Sequence, residues 1–152
     1  MCRAPISTAP TTGRSSRPVP FLYTRHDLEH LKTAGRRMME LCDSHKEFRH
    51  LNVFPFAPHL AFWQMHYAGI GFHTFCLSTG GGKTMGTDGN VSMIEKIKPE
   101  AIIGMPTFVY HLFHTALEQN VKWTNLRRVV LGGEKAPRGL RRKLRELAAA
   151  LG

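Results

Sequence analysis

The sequence is short of acid. Eleven Asp and Glu stand against twenty-one Lys and Arg, a formal charge of +10 at pH 7, and no carboxylate side chain precedes Asp27. Such an imbalance points to anionic partners: nucleic acid, a membrane surface or an anionic small ligand. A long apolar run is also missing. Val53 to Trp63 is interrupted by Pro55, Pro58 and His59, well short of the roughly 18 residues of a membrane span. Cysteine is scarce: Cys2, Cys42 and Cys76 are odd in number and far apart. That spacing argues against a disulfide framework or a cysteine zinc site and suits free thiols in a reducing compartment, so the expected location is the cytoplasm. The acid-free N-terminus shares its composition with organelle transit peptides, but prolines at 5, 10, 18 and 20 oppose the amphipathic helix such peptides need.

What remains is an ordinary globular composition, 42% hydrophobic and 21% charged over 152 residues, about one domain in size. Met1 to Pro20 has no apolar periodicity and reads as a loop, so residues 1–23 are expected to be a flexible Ser/Thr/Pro-rich segment. Thr24 can cap a helix whose loose apolar face is Leu28, Leu31, Met38, Met39 and Leu41. Beyond it strands and helices alternate: strands at Leu51–Phe56, Phe72–Leu77, Ala101–Met105 and Leu126–Leu131, with helices through Phe62–Tyr67, Val91–Lys98, Phe108–Leu117 and Pro137–Leu151. The expected fold is therefore α/β, with a mostly parallel sheet over residues 24–152.

Parallel strands place their C-terminal ends on one sheet edge. The loops at His59, Ser78–Thr84, Met105–Thr107 and Gly132–Lys135 then converge there, where ligands of open α/β sheets sit. Each candidate also has an ordinary explanation. Gly132-Gly133-Glu134-Lys135 could bring backbone and charge to a ligand, or be a plain turn. Ser7 to Arg14 offers hydroxyls, a glycine and cations to phosphate oxygens, or is a disordered terminus. Gly82-Lys83-Thr84 resembles the end of a phosphate loop, but Leu77 stands where that motif has its first glycine. Met85 to Asn90 is not expected to begin a helix, which leaves no helix amides for an anion. Phe62 and Trp63 read chiefly as core. His26 and His30 share a helix face without a third ligand, so no metal site is expected. The arginines of the last helix read as a solvated face without interleaved aromatics, which makes nucleic acid an unlikely partner.

The order of motifs carries a resemblance. Thr11-Thr12-Gly13, Phe54-Pro55-Phe56-Ala57-Pro58-His59, Gly104-Met105-Pro106-Thr107 and Leu131-Gly132-Gly133-Glu134-Lys135-Ala136-Pro137 together resemble the adenylate-forming enzymes, most of all their phenylacetate-CoA ligase branch. The resemblance implies part of the N-terminal domain of such an enzyme. It also implies a reaction in which a carboxylate and MgATP give an acyl-adenylate, and a thiol, commonly coenzyme A, then takes the acyl group. By the resemblance, ATP, Mg2+ and coenzyme A would be the cofactors, and ATP and a small carboxylic acid the partners. Thr11, Thr12 and Gly13 would belong to the phosphate loop. Gly132, Gly133, Glu134 and Lys135 would lie along the adenine and acyl pocket, with His59, Met105, Pro106 and Thr107 near the acid. The chain departs from the family in having Ala9-Pro10 where glycine usually precedes Thr-Thr-Gly. It also has no counterpart of the later aromatic-Gly-x-Thr-Glu segment, the ribose-binding aspartate or the lid domain with its catalytic lysine. The expectation is a ligase fragment, inactive by itself and associating with a missing C-terminal portion. The reading from another class is a small basic module for nucleic acid or another polyanion.

Overall fold

A computed structural model describes residues 7–10, 17, 19–56 and 59–152. Two short strands open it, β1 (Ser7–Pro10) and β2 (Pro20–Tyr23), paired antiparallel from Ser7 opposite Tyr23 to Pro10 opposite Pro20. The sequence reads as loop at Ser7–Pro10, so this pairing is a correction. Prolines sit at the last position of one strand and the first of the other, where a two-stranded ribbon tolerates a missing donor.

Helix α1 (Arg25–Leu41) starts as expected: Thr24 Oγ1 accepts from Asp27 N at 3.3 Å, and Asp27 Oδ2 accepts from Thr24 N at 2.8 Å. This reciprocal capping satisfies donors that the first helical turn leaves over. Hydrogen bonds from Thr24 hold the Asp27 carboxyl below its usual range. Leu41, expected on the apolar face, is 88% exposed. Gly35 explains how closely the helix packs, because a Cβ there would lie 2.5 Å from Ala68 Cα.

The remainder alternates: β3 (His50–Asn52), α2 (Leu60–Phe72), β4 (Cys76–Ser78), α3 (Gly82–Ile97), β5 (Ala101–Gly104), α4 (Pro106–Glu118), β6 (Arg128–Leu131) and α5 (Arg138–Leu151). The 4-stranded sheet has the order β4-β3-β5-β6, and every pair is parallel. Along β5 the faces alternate: Ala101 and Ile103 join Met39, Phe62, Met65 and Phe72 beneath α1 and α2, whereas Ile102 joins Ile94, Leu112, Phe113 and Leu144 beneath α3, α4 and α5. The period of two thus builds two apolar layers on one sheet. Side chains such as Ile102 and Phe113, both at 0% exposure, each stabilise the fold by about 1.5–3 kcal/mol through burial.

Three boundaries differ from the sequence reading. Phe72 ends α2 instead of starting a strand, because His73 adopts a left-handed cap (φ 56°, ψ 49°) and the chain re-enters the sheet only at Cys76. The first sheet strand stops at Asn52, whose Oδ1 accepts from Phe54 N at 3.1 Å and turns the chain out of the sheet. Third, Met85–Asn90 is helical: α3 already begins at Gly82, with a single break at Gly86 (φ 67°, ψ 175°). The fully buried Asn90 bridges that break, donating from Nδ2 to Gly86 O at 2.6 Å and Gly81 O at 3.2 Å while accepting from Thr79 Oγ1 at 2.6 Å. The glycines hid this helix from periodicity, and a buried amide supplies what their backbones lack. No described helix is long and apolar enough to cross a membrane.

Candidate functional site

The strand order fixes where a ligand can sit. From β3 the chain leaves to α2 on one face, and from the adjacent β5 it leaves to α4 on the other. Loops diverging from neighbouring strands leave a crevice at their C-terminal ends, which is the general position of binding sites in open parallel sheets. A cleft of about 460 Å3 is found there, lined by Val53, Pro55, His59, Gly82, Lys83, Met105, Phe108, Gly133 and Glu134. The segment that follows each of the four strands contributes to it, after β4 through the first turn of α3.

Glu134, after β6, reaches across to the start of α4. Its Oε1 accepts from Thr107 N at 2.6 Å and from the Thr107 hydroxyl. Met105 occupies the cap position of that helix without a side-chain cap, and Pro106 is its first residue, where a missing N–H costs nothing. A carboxylate beside the first turn also meets the positive end of the helix dipole. Glu134 therefore has a structural task, closing the cleft and capping α4. Gly133 has φ 81°, and a Cβ on it would stand 3.2 Å from Phe54 and 3.4 Å from Met105, so glycine is required there by conformation.

His59 precedes α2 as its cap residue and makes no side-chain cap bond. Burial lowers its pKa, and the positive charge of Lys83 lowers it further. The imidazole is therefore neutral near pH 7 and offers one donor and one acceptor to the cleft.

Of the residues expected from sequence, the fold brings His59, Met105, Gly133 and Glu134 to one cavity and joins Thr107 to it through Glu134. Pro106 is buried at the helix start instead of lining the cleft. Gly132 N donates to Gly104 O at 3.1 Å and so continues the β5–β6 pairing. Lys135 is exposed and outside the lining. Thr11, Thr12 and Gly13 lie outside the described residues. Sequence reasoning missed Val53, Pro55 and Phe108 as walls. Lys83 was noticed only as part of an imperfect phosphate loop, although its place after a strand end was the available signal. Phe62 is core, 6% exposed and edge-on to Phe56 and Trp63. His26 and His30 meet edge-on with ring centroids 4.2 Å apart, and no group of three metal-ligating side chains occurs among the described residues.

No protein-family model and no curated protein matches the chain. Solved structures do. The chain superposes on 2-hydroxyisobutyryl-CoA ligase, crystallised with 2-HIB-AMP and CoA in the thioesterification state, with a TM-score of 0.86 and 19% identity, covering 95% of this chain and 31% of that one. A long-chain-fatty-acid-CoA ligase from Archaeoglobus fulgidus matches with a TM-score of 0.71 and 18% identity over 94% and 28% of the two chains. The amide bond synthetase McbA from Marinactinospora thermotolerans gives 0.67 and 20% over 92% and 26%. The chain thus spans about a third of the length of the solved proteins it resembles. Its four-stranded parallel sheet with flanking helices is the fold of one portion of an adenylate-forming ligase.

Proposed function

We propose that this chain supplies the acid-facing wall of an ATP-dependent carboxylate-activating ligase. The observation that carries the reading is the cleft at the sheet's switch point, to which His59, Met105, Gly133 and Glu134 all contribute. In the overall reaction a carboxylate oxygen bonds to the α-phosphorus of ATP as the bond to pyrophosphate breaks. The sulfur of coenzyme A then bonds to the acyl carbon and AMP leaves. The apolar walls Val53, Pro55, Met105 and Phe108 would exclude water from the acid's hydrocarbon part and fix its orientation. Neutral His59 would offer the acid one hydrogen-bond donor without adding a charge that must be desolvated. The Gly132–Lys135 turn would take the adenine and acyl end. Thr11, Thr12 and Gly13 would meet the phosphates, and Mg2+ would supply charge neutralisation there.

The fit to an organic acid rests on chemistry present in the cleft: its walls are mostly apolar, and its one lining carboxylate, Glu134, already accepts two hydrogen bonds from Thr107. An incoming acid therefore meets a satisfied anion instead of a bare one. The competing polyanion reading is favoured by the charge of +10 and by exposed Arg138, Arg141, Arg142, Lys143 and Arg145 on α5. Titration of the isotope-labelled chain with a non-hydrolysable phenylacetyl-sulfamoyl adenosine decides between them. Saturable shifts at His59, Met105 and Gly133 are expected. Shifts confined to α5, together with tighter and steeply salt-dependent binding of unrelated DNA, would establish the polyanion module instead.

A further inference from the structure

The cleft holds a cation with nothing to neutralise it. All eleven carboxylate side chains of the sequence lie among the described residues. Lys83 makes no ion pair with any of them. Unpaired lysines are ordinary in so basic a chain. Lys83 differs because it stands in the wall of the cleft and is the one Lys or Arg among the described residues that line it. The neighbouring imidazole adds no charge, being held neutral by burial and by Lys83 itself.

Its place follows from the topology. Lys83 comes from the first turn of α3, which follows β4, and Glu134 from the loop after β6, at opposite margins of the order β4-β3-β5-β6. Three strand spacings of about 4.8 Å separate those margins, roughly 14 Å. Between them stand the apolar walls contributed after β3 and β5: Val53, Pro55, Met105 and Phe108. An acid that reacts at the Thr107–Glu134 end thus has its hydrocarbon part over β3 and its far end at Lys83.

We propose that Lys83 selects acids with a second anionic group at the end remote from the reacting carboxylate, an α,ω-dicarboxylate or a carboxy-aryl acid. The inference rests on the cleft being the acid site. An uncompensated ammonium beside apolar walls favours a carboxylate over an uncharged group of the same shape, because the charge-assisted hydrogen bond is made only with the anion. Lys83 is exposed, so water and salt weaken the contact, and a preference of about tenfold is expected rather than thousands.

The test compares 4-carboxyphenylacetate with its uncharged isostere 4-carbamoylphenylacetate and with phenylacetate, by NMR titration of the full chain at low salt. The unaltered chain is expected to bind 4-carboxyphenylacetate about tenfold more tightly than the carbamoyl compound. Lys83→Met should collapse that ratio to below twofold, and Lys83→Arg should retain it. Equal affinity for the carboxy and carbamoyl compounds, with both and phenylacetate shifting His59 and Met105, overturns the inference and leaves the acid site standing. A preference unchanged in Lys83→Met also overturns it. Absence of saturable shifts with all three compounds overturns the inference and the acid site together.

Discussion

Replacing Glu134 by alanine separates two roles that the cleft combines in one side chain. Its carboxylate accepts from the Thr107 amide at 2.6 Å and from the Thr107 hydroxyl, at the start of a helix whose own cap residue, Met105, makes no side-chain cap bond. A side-chain acceptor at a helix start is worth typically about 1 kcal/mol, and a charge at the dipole's positive end adds about 0.3–1 kcal/mol at an exposed site. Both partners are exposed, so the lower end of the sum applies, and Glu134→Ala is expected to cost about 1 kcal/mol. For a chain of 152 residues this corresponds to a fall of roughly 2–4 °C in Tm. Glu134→Gln keeps an acceptor and loses the charge, so it should cost about half as much and show little dependence on salt. Circular dichroism melts at pH 7 give the values, and a double-mutant cycle with Thr107→Ala isolates the pair. The two single changes should overlap, so that the double variant is less destabilised than their sum by about 0.5–1 kcal/mol. Strict additivity, or an unchanged Tm in Glu134→Ala, would refute the capping account.

Glycines with equally open surroundings should respond in opposite ways. A Cβ meets nothing within 4 Å at either Gly86 or Gly139, but only Gly86 has positive φ, at 67°. Gly86→Ala should therefore lower stability by about 1 kcal/mol, and Gly139→Ala in α5 should raise it by about 0.5 kcal/mol, both read by urea titration. His50 is 1% exposed, with Ser44 Oγ 2.5 Å from Nε2, and burial depresses its pKa. Stability from the neutral ring is complete above the unfolded value of about 6.5 and is lost as the pH falls below it toward the folded value. His50→Gln should flatten that decline, and an equal acid slope in both proteins would exclude His50 as its source. Burial pushes the Cys76 thiol up to about 11, so at pH 8 iodoacetamide should label Cys76 slowly until the chain is unfolded, as followed by mass spectrometry.

The convergence of residues on the candidate cleft is legible in the sequence because it depends on chain order. Alternating strands and helices imply a parallel sheet, and a parallel sheet places the loops after its strands on one edge. His59, Met105, Gly133 and Glu134 meet there for that reason alone. Features that depend on a buried polar side chain were not legible. Asn52 ends β3 early by turning Phe54 inward, and Asn90 sustains α3 across Gly86. In both cases one amide replaces a signal that periodicity would need. The ribbon of β1 and β2 escaped notice because proline-rich segments read as loops, and only their mutual pairing makes them strands.

The sequence by itself determined the α/β class, the helix start at Thr24, the strand order along the chain and the basic outer face of α5. These follow from local periodicity, capping chemistry and charge, which act between near neighbours. Tertiary structure alone decided that β3 and β5 are adjacent at the centre of the sheet, so that the chain diverges to opposite faces between them. It alone decided that Glu134 is engaged by Thr107, 27 residues away, while Lys83 stands in the opposite margin of the cleft without a carboxylate. The cause is physical: sequence spacing records which charges a chain carries, and only packing determines which of them meet.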